Sequence, residues 1–240
     1  PEIETIVDES TDLDSKLKLE EFLKRWFKNY IDEMLGDLIN LTKLEKNNQY
    51  LRALVFQLYE KNGVIKRSEI DSIVKLIPPE ERKKLWGMGI KIGRYHVYLH
   101  KMLKPKAVEF RISLWKIYYN LTKDHTIPRS GLNFIINKNY ERNFLLLCGF
   151  EKFKDFFVRI DILEKLFIKI LDNTKDRKFK INSDMMNLLG CTKENFYKLM
   201  TYMDYKKDKT ADTYIFMGEK KKKTDKFIKF DKNENPFKKL

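Results

Sequence analysis

Residues 87–105 bring together three glycines, two histidines four positions apart and a Lys104-Pro105 step. Such a set could serve a nucleotide, a metal or a turn. Gly87-x-Gly89-x-x-x-Gly93 misses the dinucleotide fingerprint by one residue. It also precedes an apparent strand, whereas that fingerprint follows a strand and opens a helix whose N-terminus holds the pyrophosphate. The expectation is a tight turn built from residues without a Cβ. His96 and His100 could clasp zinc from successive helical turns, but no Glu follows His96 and no Cys or carboxylate cluster stands near to complete four ligands. A hydrogen-bonded structural histidine is expected, and no metal. His125 is alone in a loop. The sequence holds neither a GxxxxGK[ST] phosphate loop nor a Gly-x-Ser-x-Gly elbow. No apolar strand leads into Asp8-Glu9. No catalytic residue and no cofactor are therefore expected in this chain.

Binding chemistry is left. After Thr192, a cap residue, the helix KENFYKLMTYMDY places Phe196, Leu199, Met200 and Met203 on one face. Lys193, Tyr197 and Thr201 fall on the other, with Lys198 beside them. Ammonium, phenol and hydroxyl groups on one exposed face suit phosphates and base edges. Lys206, Lys207, Lys209 and Lys220, Lys221, Lys222 and Lys223 follow and would reach phosphate oxygens, giving salt-sensitive affinity with little sequence reading. Tyr197 and Tyr214 are candidates for stacking on bases, with core packing the stronger expectation for Tyr214. The same positions would also suit an ordinary solvated helix face.

Composition agrees. The chain of 240 residues carries a net charge of +14, which points to polyanionic partners, nucleic acid before an anionic membrane. A lysine-rich coding bias would give the same number. Hydrophobic residues at 42% and aromatics at 13% suffice for a core. No apolar run reaches the roughly 18–20 residues that cross a bilayer, and no secretory signal opens the chain. Cys148 and Cys191 lie far apart in apolar surroundings and are expected as free thiols in a reducing, cytoplasmic setting.

The elements that must position these residues are mostly helices. Residues 1–14 hold six acidic side chains and no Lys or Arg, and read as a linker; with Pro1 in place of Met, the expectation is a piece of a longer protein. An apolar stripe from Leu19 through Phe22, Trp26, Tyr30, Met34 and Leu38 reads as a core helix. Helices follow at about 48–61, after Ser68, and from Pro79. Ile90–Leu99 reads as a short β insert, and Pro105 opens another helix. Residues 126–157 read as a connecting region containing an apolar FIIN island. Over 158–220 the order helix, strand, helix, turn, helix, hairpin reads as a winged-helix-like module. Residues 221–240 form a basic tail. No internal repeat is evident. The fold class expected is mainly α: a helical bundle with a small β insert over 15–125, then the winged-helix-like module.

GIKIGRYHVYLHKMLKPKAVEFRISLWKIYY also resembles a region downstream of the motor in bacterial relatives of the mitochondrial degradosome RNA helicases, the Suv-type branch of the superfamily-two DExH-box helicases. The matching positions are Gly89, Gly93, Tyr95, His96, Tyr98, Leu99, Met102, Leu103, Lys104, Pro105, Leu114 and Trp115; His100 departs, standing where relatives tend to have proline. GDLINL, ALVFQLYEKNGVIKR, RIDILEKL, LLGCTKENFYKLM and NPFKKL are similar in order. The resemblance implies an ATP- and Mg-dependent helicase parent whose motor domains are absent here. No catalytic residue transfers, and Gly89, Gly93, His96 and Pro105 are expected to make a structural joint. The function expected is a monomeric, non-catalytic accessory region holding single-stranded or tailed RNA or DNA beside motor domains in cis. The alternatives are a stand-alone winged-helix DNA-binding regulator, which would be dimeric, and a protein-interaction module recruiting a nuclease.

Overall fold

The computed structural model describes residues 4, 6, 12–41, 48–120, 126–129, 131–136, 140–208 and 213–217. A long helix, α1 (Leu13–Leu41), leads in. Its apolar stripe divides in two. Met34, Leu35, Leu38 and Leu41 are buried in the first core, but Phe22 is 62% and Trp26 50% exposed, and Leu19 is exposed as well. The reading of the whole stripe as core is corrected: only the second half of α1 has elements to lie against, and 3.6-residue periodicity cannot show where those elements end.

The chain then follows one order of elements three times. In the first unit, α2 (Gln49–Glu60) leads to β1 (Val64–Lys66), α3 (Arg67–Leu76), α4 (Pro79–Gly87), β2 (Ile90–Ile92) and β3 (His96–Leu99). Asn48 caps α2, accepting the N–H groups of Tyr50 at 2.8 Å and Leu51 at 3.3 Å. Pro79 starts α4, where its missing N–H costs nothing. A short 3-10 turn at His100–Leu103 leads to the second unit: α5 (Pro105–Tyr118), β4 (Phe134–Ile135), α6 (Arg142–Leu147), β5 (Phe150–Lys152) and β6 (Phe157–Arg159). The third has α7 (Ile160–Asp172), β7 (Lys178–Lys180), α8 (Ser183–Leu189), α9 (Lys193–Tyr202), β8 (Tyr205–Lys207) and β9 (Thr213–Phe216).

Each unit makes an antiparallel three-stranded sheet with its last strand in the middle: β1-β3-β2, β4-β6-β5 and β7-β9-β8. The expected helical bundle with a small β insert is thus corrected to a mixed helix-and-sheet chain. The winged-helix order expected only over 158–220 is found in the first unit too, and in shortened form in the second, where only residues 136–141 separate β4 from α6. FIIN, read as an island in a connecting region, supplies β4. The β insert and the third unit's strand and hairpin were read from the sequence, but β1 and the strands of the second unit were not, because strands of two to four residues are too short to display an alternating period.

Hydrogen bonds fix the equivalence. After α4, α6 and α9 stand Gly89, Gly149 and Asp204, all with positive φ (82°, 84° and 64°). The carbonyl of each accepts the N–H of the residue that follows the unit's last strand: His100 at 2.9 Å, Ile160 at 2.9 Å and Met217 at 3.1 Å. The hairpins close alike, Gly93 donating to His96, Phe153 to Phe156 and Asp208 to Thr213, each at 2.8 Å. Register follows: Lys91, Glu151 and Lys206 stand opposite Tyr98, Val158 and Ile215.

One face of each sheet fills its unit's core: Ile65, Ile90, Val97 and Leu99 in the first, Phe150 and Phe157 in the second, Phe179, Tyr205 and Tyr214 in the third. Side chains alternate across a strand, and the other face of the first two sheets meets the next unit. Val64 and Tyr98 pack with Ile160 and Leu146, and Val158 and Phe134 join the third core. Arg111, buried on α5, donates to the carbonyls of Asn62 at 2.6 Å, Leu147 at 3.0 Å and Met102, joining the first two units. On the third sheet the outward row Lys178–Ile215–Lys206 is not apolar: both lysines are exposed.

Candidate nucleic-acid interface

The third unit carries the sequence-predicted residues. Thr192 caps α9, its Oγ1 accepting the Asn195 N–H at 3.4 Å. Phe196, Leu199, Met200 and Met203 are buried, which turns Lys193, Lys198 and Thr201 outward. The Thr201 hydroxyl donates to the Tyr197 carbonyl at 3.2 Å. Tyr197 does not share that exposure. It is half-buried, its ring 6.0 Å from that of Tyr214. The ammonium groups of Lys193 and Lys207 lie 5.6 and 5.1 Å from its centroid. Tyr197 thus positions two cations by the attraction of its ring face, in a geometry worth about 0.5–1 kcal/mol at exposed sites. Tyr214 is 2% exposed and stacks within the core on Phe179, so it offers no surface to a base.

β8 splits its two lysines. Lys207 faces α9, whereas Lys206 faces outward beside Ile215 and Lys178. Lys178 holds Asp208 at 2.8 Å across the hairpin, and Lys180 is exposed on the same strand. Sequence reasoning missed Lys178 and Lys180; the signal was the KFK alternation of a strand with an apolar middle residue, Phe179, turned inward. Lys209 and Lys220–Lys223 lie outside the described residues. The structure therefore gathers two basic surfaces on one unit: the outer side of α9 with Lys193, Lys198 and Thr201, and the outer face of the sheet with Lys178, Lys180 and Lys206.

The histidine stretch belongs elsewhere. His96 is 1% exposed, and its Nε2 lies 2.7 Å from Glu151 Oε2 and its Nδ1 3.7 Å from Glu164 Oε1. Lys66 reaches Glu151 Oε1 at 2.5 Å. Glu164 also accepts the backbone N–H groups of Arg94, Tyr95 and His96 at 2.7, 2.9 and 2.8 Å. Three units thus meet in one buried cluster: Lys66 and His96 from the first, Glu151 from the second, Glu164 from the third. Burial alone would lower the His96 pKa, but hydrogen bonds and charge from Glu151 and Glu164 outweigh it and raise the value. Burial works to raise Glu151, and the cations His96 and Lys66 bring it below its ordinary range. Glu151 and Glu164 are each 6% exposed, so the two carboxylates themselves are withdrawn from solvent. The cluster fastens units together.

Gly93 is required there because a Cβ would lie 2.2 Å from the Glu164 carboxyl carbon. His100 is exposed and outside the cluster. Burial pushes the Cys148 thiol up to about 12 and the Cys191 thiol to about 11, and both are free thiols. Among the described residues, no group of three or more His, Cys, Asp or Glu side chains gathers as a metal site, and no helix is long and apolar enough to cross a membrane. No protein-family model, no curated protein and no solved structure matches this chain.

Proposed function

We propose that this chain binds duplex DNA without catalysing a reaction, gripping it with the exposed basic surfaces of its winged-helix units. The observation that carries the reading is the third unit. Its second helix of the helix-turn-helix pair, α9, turns Lys193, Lys198 and Thr201 outward, in the position that enters a major groove in such motifs. Lys178, Lys180 and Lys206 stand on its outer sheet, where they would pair with phosphates. Duplex DNA is favoured over duplex RNA by groove shape. A B-form major groove admits a helix, whereas the A-form groove is too deep and narrow. On the third unit a duplex is favoured over a single strand because its aromatic candidates for stacking, Tyr197 and Tyr214, are drawn into the fold.

The helicase setting rests on the quoted resemblance alone. In that setting the array would hold DNA beside motor domains that supply the ATP and Mg chemistry.

A competition experiment tests the substrate class. Labelled duplex DNA bound to the chain is challenged with unlabelled duplex DNA, duplex RNA and single strands of the same sequence. Duplex DNA should displace the label at the lowest concentration. A single strand or duplex RNA that competes better overturns the reading.

A further inference from the structure

The three units use the outer side of the helix before the hairpin, together with the middle of the next strand, in two different ways. Counting from Gly89, Gly149 and Asp204, the exposed helix positions align as Lys83, Asn143 and Lys198, and one turn later as Trp86, Leu146 and Thr201. The buried positions between them are Leu85, Leu145 and Met200, which confirms the alignment by its inward face. The middle strand positions are Lys91, Glu151 and Lys206.

In the second unit this surface is occupied. Leu146 packs on Val64 and Tyr98, and Glu151 holds Lys66 and His96. In the third it is open and carries Lys198, Thr201 and Lys206. In the first it is open as well. Lys83 is exposed, Trp86 is 65% exposed, and the Lys91 ammonium lies 3.9 Å from the Trp86 ring centroid. Lys84, which pairs with Glu81, is not at one of these aligned positions. An indole left this far in water on a short helix, flanked by two cations at the positions where the third unit also has lysines, has the makeup of a nucleic-acid contact. Lysines meet phosphates, and the indole covers sugar and thymine methyl surface.

We infer that α4 and β2 form a second DNA-binding surface, with Lys83, Trp86 and Lys91 as its contacts, so that the outer two units grip one duplex and the middle unit spaces them. The inference rests on the proposed DNA binding by the third unit. The test measures affinity for one duplex across a salt series, together with Trp fluorescence, for the full chain and two double variants: Lys83→Ala with Lys91→Ala, and Lys198→Ala with Lys206→Ala. Each pair should lower the slope of log affinity against log salt by about 2, one phosphate contact per lysine. DNA should quench the wild-type indole signal, and Trp86→Phe should remove most of that quenching, while the emission of the half-buried Trp115 and of Trp26, 50% exposed on α1, remains. All changed side chains lie at the surface or its edge, so thermal unfolding should stay as in wild type. If the Lys198/Lys206 pair loses affinity while the Lys83/Lys91 pair keeps the wild-type slope and Trp86 is not quenched, the second surface is wrong and the third-unit reading stands. If wild type binds no duplex even in dilute salt, both fail.

Discussion

Glu164 accepts three consecutive backbone N–H groups at the turn Arg94–His96 while lying 3.7 Å from the His96 ring. It is one of five buried polar or charged residues among those described, and the energetics of the joint turn on it and Glu151. A carboxylate this well supplied with donors is stable in burial, and removing a donor leaves a costly charge behind. The pH response follows from the directions of two shifts. His96 has its folded value raised above 6.5, so its contribution is complete below that value and fades as pH rises through the raised one. Glu151 has its value lowered below 4.5, so its contribution is complete above that value and fades as pH falls through the lowered one. Urea midpoints should therefore be highest between these limits and fall on both sides, and His96→Gln should abolish the alkaline decline. A His96→Gln chain that keeps the same alkaline decline would assign it to another group. Little of this was legible in the sequence. His96 could be named as structural from the absence of ligand partners, but its partners lie 55 and 68 residues away, beyond any local pattern.

At the scale of elements, hairpins have two fates. The first hairpin's tip is tied to α7 by Glu164, and its Tyr95 ring lies 5.7 Å from Phe167 of α7. The second sends Phe156 into the third core, 5.8 Å from Tyr202 and 4.7 Å from Phe134. Phe156 is 1% exposed. Phe156→Ala should cost about 3–5 kcal/mol, read as a lowered denaturant midpoint. A loss below 1 kcal/mol would mean that the second hairpin does not hold the third unit. Most helices showed themselves in the sequence through their apolar spacing, and the inner face of α9 was found residue by residue, but α6 fell within residues 126–157, read as a connecting region. The repeat did not show itself. Its marker is a left-handed residue that accepts one long-range hydrogen bond, and this is Gly twice and Asp once. A pattern written in backbone conformation leaves little trace in residue identity, and the unequal intervals between units hide it further.

For the whole molecule, the outward face of each sheet decides how the units join. Val64 and Tyr98, then Phe134 and Val158, are apolar and meet a following unit. Lys178, Ile215 and Lys206 replace them on the third sheet, which turns a polar, basic face outward. The net charge of +14 is thus partly organised into surfaces, on the third sheet, along α9 and beside Trp86. Charge in the sequence led to the expectation of a polyanionic partner; it could not show that the middle unit's equivalent surface is consumed in holding the first. The account is tested most directly by the affinity of the full chain for one short DNA duplex, measured from low to physiological salt. Contacts from Lys83, Lys91, Lys178, Lys198 and Lys206 predict a slope of log affinity against log salt of about −4 or steeper. A slope near zero, or no binding at the lowest salt, would contradict it.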